Sequence, residues 1–151
     1  MKLTQTQSSS KVGIVCETAA ERVGLQDARA ALKQFGVDSE FVPFRAEKFR
    51  SSPWKIMIVG SFKLATRLAK SGDVPVVFVP QARGRGPSEA LIRKALGRPD
   101  GAGIACVAIN GGFNAGLLAA QMIGIAGNPR ILNRIRRYKQ ELRRMVLRKK
   151  I

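Results

Sequence analysis

Short apolar runs alternate along this chain with stretches in which apolar residues recur at helical spacing. The apolar runs occupy residues 11–16, 41–44, 55–60, 74–79 and 104–109. They are short, bounded by turn residues and rich in Val and Ile, which is typical of strands. Most are continuously apolar rather than alternating, as expected when both faces of a sheet are covered. The pattern therefore predicts five parallel strands.

The segments between these strands have helical patterns. We predict helices over residues 19–35, 61–70, from 88 onwards and 113–126. In the first, the expected core-facing residues are Ala20, Val23, Ala28, Ala31, Leu32 and Phe35. Gly36 should end that helix, and Ser61 and Ser88 should cap the next two. This order predicts an α/β three-layer sandwich with a flavodoxin-like strand order, whose ligands bind beyond the carboxyl ends of the strands.

The last segment differs from the rest in charge. Residues 130–151 carry ten Lys or Arg and one acid, Glu141. Its apolar residues recur at steps of three and four: Ile131, Ile135, Tyr138, Leu142 and Met145. With Asn128-Pro129 marking a break, the spacing predicts a long amphipathic helix. We therefore divide the chain into a polar arm (1–10), an α/β domain (11–127) and a basic helix (128–151). That helix either crosses its own domain or reaches a neighbouring subunit.

Composition narrows the chemistry. The chain has 151 residues, enough for one domain, with 27 Lys and Arg against 10 Asp and Glu, a net charge of +17. It has no histidine, which excludes every mechanism that relies on an imidazole. Cys16 and Cys106 lie in apolar runs and are expected to be buried, reduced thiols. We expect no metal or cofactor. Without a long apolar segment or a signal peptide, we expect a cytoplasmic protein with no membrane partner.

The fifth strand and the helix after it carry a specific motif. The segment Val107-Ala-Ile-Asn-Gly-Gly-Phe-Asn-Ala-Gly-Leu-Leu-Ala-Ala-Gln-Met122 resembles the closing segment of the carboxyaminoimidazole ribonucleotide mutase (PurE-type) family. The resemblance extends over about residues 11–147. It implies a flavodoxin-like domain that assembles as a homo-octamer, with purine ribonucleotide sites at subunit junctions.

The resemblance also implies three ligand loops, and each departs from the family pattern here. The first reads Gly-Ser-x-Ser-Asp in the family and Glu17-Thr-Ala-Ala-Glu21 in this chain. The second reads Ser-Ala-His-Arg there and Arg45-Ala-Glu-Lys48 here. The third has a histidine, the family's proposed proton shuttle, where this chain has Gly60-Ser-Phe-Lys-Leu-Ala-Thr66. The chemistry that the resemblance implies therefore lacks its acid–base group.

Our first functional hypothesis is a non-catalytic binder of a polyanion, most directly RNA in a ribonucleoprotein particle, or DNA. Arginines bind phosphate oxygens through paired N–H donors, and each contact releases counterions. The candidate residues lie in the loop after the fourth strand and in the last helix: Arg83, Arg85, Arg134, Arg137, Arg144 and Arg148. Trp54 and Tyr138, the large amphipathic rings, are expected to pack rather than to stack on bases.

The alternative is an enzyme or sensor that keeps the family's ribonucleotide site. Its candidate residues are Thr18, Glu21, Arg45, Lys48, Ser61, Gly111, Gly112 and Asn114. The glycine pair precedes a helix, where backbone N–H groups can bind a phosphate, although such pairs also occur for steric reasons. A third hypothesis, in which the basic helix binds an acidic protein or an anionic membrane, is weaker because its apolar face lacks Trp and Phe.

Overall fold

Five parallel strands form one sheet in the computed structural model, which describes residues 11–44, 54–84, 86, 88–97 and 103–149. The strands are β1 (Lys11–Cys16), β2 (Asp38–Pro43), β3 (Trp54–Val59), β4 (Val76–Phe78) and β5 (Ile104–Cys106). Their order in the sheet is β2-β1-β3-β4-β5. This confirms the predicted parallel sheet and its flavodoxin-like order. The crevice at which the order reverses lies between β1 and β3.

Six helices accompany the sheet within the described residues. They are α1 (Ala19–Gly24), α2 (Gln26–Phe35), α3 (Phe62–Ser71), α4 (Glu89–Leu96), α5 (Gly112–Ile125) and α6 (Pro129–Arg148). Ser61 and Ser88 cap α3 and α4 as predicted, because each hydroxyl accepts a hydrogen bond from the third amide of its helix. Gly36 ends α2 in the left-handed conformation, at φ 78°. Asn128 caps α6, and Pro129 opens it.

The predicted helix over residues 19–35 is two helices. The helix is interrupted at Leu25, whose backbone leaves the helical conformation (φ −103°, ψ 5°) and whose side chain is buried between α1 and α2. A single apolar stripe therefore does not run through both, and Ala20 and Val23 are exposed, Val23 to 72%. The prediction was wrong for these two residues. It is confirmed for the other four, Ala28, Ala31, Leu32 and Phe35, which are buried.

Strand boundaries differ most from the predicted ones in β2, β4 and β5. The second strand begins at Asp38, earlier than predicted, because an edge strand tolerates exposed polar residues such as Glu40. The last two strands are shorter than predicted and pair over three residues each, from Val76–Ile104 to Phe78–Cys106. After β5 one more backbone hydrogen bond joins the two segments, from the Val107 N–H to the Phe78 carbonyl at 3.2 Å.

Two apolar clusters cover the two faces of the sheet. Buried residues of α2, α5 and α6 pack on one face, and those of α3 pack on the other. Helices α2 and α5 approach each other closely because Gly116 has no side chain. A Cβ at that position would lie 2.5 Å from the Ala28 carbonyl oxygen and 2.7 Å from the Ala31 Cβ. The arrangement is the three-layer sandwich that the sequence predicted.

Helix α6 packs against the domain only through its first half. Ile131 and Ile135 are buried, and the Tyr138 ring lies 5.4 Å from Phe35 and 5.7 Å from Phe113, centroid to centroid. Residues 139–149 are all exposed. The second half therefore extends along solvent and carries apolar side chains on the same stripe. Within the described part of the chain, no helix is both long and apolar enough to span a bilayer.

Candidate functional site

The loop after β1 is closed by its own side chains. The Thr18 hydroxyl accepts from the Glu21 N–H at 3.2 Å, and a Glu21 carboxylate oxygen accepts from the Glu17 N–H at 2.8 Å. The first bond caps α1, and the second differs from a capping box in that the carboxylate binds the N–H of the residue before the N-cap. Two predicted site residues, Thr18 and Glu21, are thus hydrogen-bonded to each other. Their polar groups satisfy the backbone of this loop.

The loop after β3 brings Ser61 to the same edge of the sheet. Its hydroxyl accepts from the Leu64 N–H at 3.4 Å and so caps α3. Ser61 is half-buried, and Gly60 before it lies at the crevice between β1 and β3. Like Thr18, this predicted site residue has a structural role as a cap.

Gln81, which follows β4, fills the crevice between these two loops. Its side-chain amide donates to the Glu21 carbonyl oxygen at 3.3 Å. It also lies against Gly60 and Gly24, where an added Cβ would come within 2.7 Å of its Nε2 and 2.5 Å of its Oε1, respectively. Gln81 was not among the predicted site residues, although its position just after a central strand was a usable signal.

Asn110 joins the loops after β4 and β5. It is the non-glycine residue with positive φ (57°) in the described structure, a conformation that Asn tolerates well. Its Oδ1 accepts from the Ala82 N–H at 2.9 Å, and its own N–H donates to the Pro80 carbonyl at 2.7 Å. Gln81 and Asn110 together link the loops after β1, β3, β4 and β5 into one rim.

The glycine pair at the start of α5 has a steric role. A Cβ at Gly111 would lie 2.6 Å from the Ala108 carbonyl oxygen, and one at Gly112 would lie 3.3 Å from backbone atoms of Gly24 and Ala28. No side chain caps this helix within the described structure. Asn114 is exposed in its first turn. The close packing accounts for both glycines whether or not a phosphate binds here.

Three predicted site residues, Arg45, Lys48 and Arg85, lie outside the described residues. Arg83 is exposed in the loop after β4. Among the described side chains, no group of three or more Cys, Asp or Glu is arranged to hold a metal ion.

The two cysteines have different environments. Cys16, at the end of β1, is half-buried, and burial together with the Glu21 carboxylate raises the pKa of its thiol from 9.0 to about 11. Cys106 is exposed on the edge strand β5, so the expectation that both thiols are buried was wrong for it. An edge strand exposes residues that the same apolar run would bury in the middle of the sheet.

Helix α6 holds the largest group of cations. It carries one acid, Glu141, and eight basic residues: Arg130, Arg134, Arg136, Arg137, Lys139, Arg143, Arg144 and Arg148. Arg137, Arg144 and Arg148 are exposed and follow one another at steps of seven and four residues, which places them on one flank of the helix. Arg134 lies on the same flank, but its guanidinium rests against Gly36 at the end of α2. None of these eight basic residues forms an ion pair with a described residue; the ion pair among the described residues joins Arg93 and Glu89 on α4.

Comparison with known proteins identifies the class to which this fold and rim belong. A sequence model of the AIR carboxylase family matches residues 11–145, so the chain belongs to this family. It is 27% identical over 153 residues to the N5-carboxyaminoimidazole ribonucleotide mutase of Thermotoga maritima, covering 92% of this chain and 89% of that protein. It is also 27% identical over 154 residues to the mutase of the same name from Mycobacterium tuberculosis, covering 93% and 88%.

Solved structures agree on the fold. PurE from Treponema denticola superposes with a TM-score of 0.69 at 20% identity, covering 92% of this chain and 95% of that one. A variant of PurE2 from the same organism gives a TM-score of 0.74 at 19% identity, covering 93% and 95%. The family membership that the sequence motif predicted is confirmed.

Proposed function

We propose that this protein is a non-catalytic member of the AIR carboxylase family that binds RNA through its phosphates, with α6 as the main contact. The observation that carries the proposal is the charge of α6, eight basic residues against one acid on a helix whose second half is exposed. Glu141 is the one carboxylate on that helix, so its cations far outnumber the acid that could pair with them. An anionic partner would relieve their mutual repulsion.

The spacing of the arginines suits a phosphate backbone. Arg137, Arg144 and Arg148 span about 16 Å along one flank of α6 at a rise of 1.5 Å per residue. Their guanidinium groups can each bind phosphate oxygens bidentately, and binding gains free energy from released counterions. Among the described residues no aromatic side chain is fully exposed, and Trp54 packs over Gly13 and Tyr138 on Phe35. Recognition would therefore depend on phosphates more than on bases.

The proposal that the protein is non-catalytic is supported by the lack of a suitable proton-transfer group. A general acid or base must titrate near the working pH, and this chain has no histidine. The loop after β1 offers Glu21, but its carboxylate accepts a backbone hydrogen bond within the cap of α1. The nearby thiol of Cys16 has a pKa raised to about 11, so it stays protonated at neutral pH.

Gentle purification at low salt tests the proposal. The ratio of absorbance at 260 and 280 nm and the particle mass should fall together after ribonuclease treatment or a high-salt wash. A ratio that falls only with deoxyribonuclease would point to DNA. Protein that is free of nucleic acid and fails to bind added RNA at low salt would overturn the proposal.

A second candidate function is binding of a purine ribonucleotide at the rim formed by the loops after β1, β3, β4 and β5. Two observations favour it. The relatives are named as ribonucleotide mutases, and the loop after β4 is hydrogen-bonded to the loops after β1 and β5, while Gln81 lies against Gly60 of the loop after β3. Calorimetry with aminoimidazole ribonucleotides and mononucleotides tests it. No heat at millimolar ligand would exclude the site.

The exposed half of α6 supports a further part of the proposal, assembly as a homo-oligomer, for which the family resemblance implies an octamer. Leu142, Met145 and Val146 are between 38% and 56% exposed, on the side of the helix that Ile131 and Ile135 bury in its first half. A second copy of the chain is the partner that such a stripe fits. Eight copies would also repeat the cationic flank, which would raise the avidity for a long RNA.

A further inference from the structure

Two arginines are gathered on one aromatic ring at the edge of the sheet. The guanidinium carbon of Arg22, on α1, lies 4.8 Å from the centroid of the Phe41 ring, and that of Arg29, on α2, lies 5.5 Å from it. Both arginines are exposed. Two like charges at one ring repel each other, so the geometry is one that an anion between or beside them would stabilise.

The ring that gathers them is itself held in place. Phe41 belongs to β2, where it is aligned with Ile14 of β1, and its half-buried side chain packs against the core under α2. A guanidinium that lies over an aromatic ring keeps its N–H donors for other partners. Phe41 thus restricts two otherwise flexible side chains without using the donors that bind phosphate.

The charge of this pair is not neutralised by the rest of the described structure. Neither arginine forms an ion pair or a side-chain hydrogen bond with another described residue. Asp27, the acid between them in sequence, is exposed in the first turn of α2 and makes no such contact. The pair therefore presents two charges to solvent.

The pair also lies at the end of a cationic path that starts on α6. Lys33 follows Arg29 by four residues on the exposed side of α2, and Arg134 of α6 rests on Gly36 at the end of that helix. Arg29 and Gly36 are about 10 Å apart along the axis of α2. Basic groups thus continue from the flank of α6, past Arg134 and Lys33, to the ring of Phe41.

We infer that Arg22 and Arg29, held over Phe41, form a phosphate clamp that binds the backbone of the same RNA that contacts α6. The inference rests on the proposed function and adds a second, separate contact to it. The clamp contacts only phosphates, so it should bind RNA of any base sequence, whether single-stranded or double-stranded.

Salt-dependent binding of a fluorescein-labelled oligouridine tests the clamp. The double variant Arg22→Gln/Arg29→Gln should lower the slope of log K against log salt by about 1.4, because each single-strand phosphate contact contributes about 0.7. When the salt concentration rises from about 50 to about 200 mM, the fold loss of affinity should therefore be about seven times smaller for this variant than for the wild type. The matched control, Lys63→Gln/Lys70→Gln, removes the same charge from α3 on the opposite face of the sheet and should leave the slope nearly unchanged.

A third variant separates orientation from charge. Phe41→Leu keeps every charge and should also lower the slope, provided that circular dichroism shows a folded protein. Equal slopes for the two double variants would overturn the clamp, as would wild-type binding by a folded Phe41→Leu variant. If the wild type binds no RNA at low salt, the proposed function itself fails. If the wild type binds RNA but the two double variants have equal slopes, only the clamp fails.

Discussion

The guanidinium group of Arg134 lies against Gly36, the residue that ends α2 in the left-handed conformation. A helix C-terminus carries a partial negative charge from its unpaired carbonyl groups, and a cation there is stabilising. Arg134 therefore holds α6 to α2 electrostatically, next to the apolar contact between Tyr138 and Phe35. One arginine of the cationic flank thus has a role in the fold that its neighbours lack.

This role predicts that Arg134→Ala lowers the free energy of unfolding by about 0.3–1 kcal/mol, the usual size of a charge–dipole contact at a helix end. Arg137→Ala, one turn further on and exposed, removes the same charge and should leave stability unchanged. Urea denaturation followed by circular dichroism measures both. A loss of equal size in the two variants would mean that Arg134 acts only through net charge.

The raised pKa of Cys16 predicts a stability that depends on pH. Burial favours the neutral thiol in the folded state, so between the ordinary pKa of 9.0 and the folded value of about 11 the unfolded chain binds fewer protons than the folded one. The free energy of unfolding should be unaffected by this group below pH 9 and should fall as the pH rises towards 11. Cys16→Ser should flatten that part of the profile.

Thiol labelling gives an independent check of the same group. A pKa about two units above the ordinary value lowers the thiolate fraction about a hundredfold at neutral pH, so Cys16 should react about that much more slowly than a free cysteine. Cys106 is exposed and serves as the internal reference. Equal labelling rates for the two positions, resolved by mass spectrometry, would contradict the burial of Cys16.

The exposed stripe of α6 predicts a dependence of assembly on Leu142 and Met145. Replacing both by Gln keeps the net charge and should yield smaller particles in sedimentation velocity, because apolar area that would be buried between copies becomes polar. The matched control, Leu96→Gln/Ile125→Gln, changes two residues that are also exposed, at 81% and 77%. An unchanged particle mass for the first variant would show that this stripe is not a contact between subunits.

The architecture could be predicted from the sequence because the apolar pattern changes period at nearly every boundary. Short continuous runs rich in Val and Ile, such as Val12–Val15, favour a strand covered on both faces, and the caps Ser61 and Ser88 indicated the helix starts. The break at Leu25 was missed although Gly24, the last residue of α1, was a usable signal, because apolar residues such as Val23 and Ala28 continue a helical spacing across it. Hydrophobic spacing alone does not report a one-residue interruption between two helices.

The candidate site was less predictable, because it depends on contacts between residues far apart in sequence. Thr18 and Glu21 were found from the family pattern, whereas the bond from Gln81 to the Glu21 carbonyl joins residues 60 positions apart. The pair Arg22 and Arg29 on Phe41 was missed for the same reason, since the ring comes from a different element. The composition shows the excess of positive charge, but it does not show which basic side chains lie close together in the fold.

The central claim is that the flank of α6 binds RNA phosphates, and the salt dependence of RNA affinity tests it most directly. The variant Arg137→Gln/Arg144→Gln/Arg148→Gln should lower the slope of log K against log salt by about 2, at about 0.7 for each lost contact with single-stranded RNA. Lys55→Gln/Lys63→Gln/Lys70→Gln removes the same charge from exposed positions on β3 and α3 and should lower the slope far less. An equal reduction in both variants, or no RNA binding by the wild type at low salt, would contradict the account.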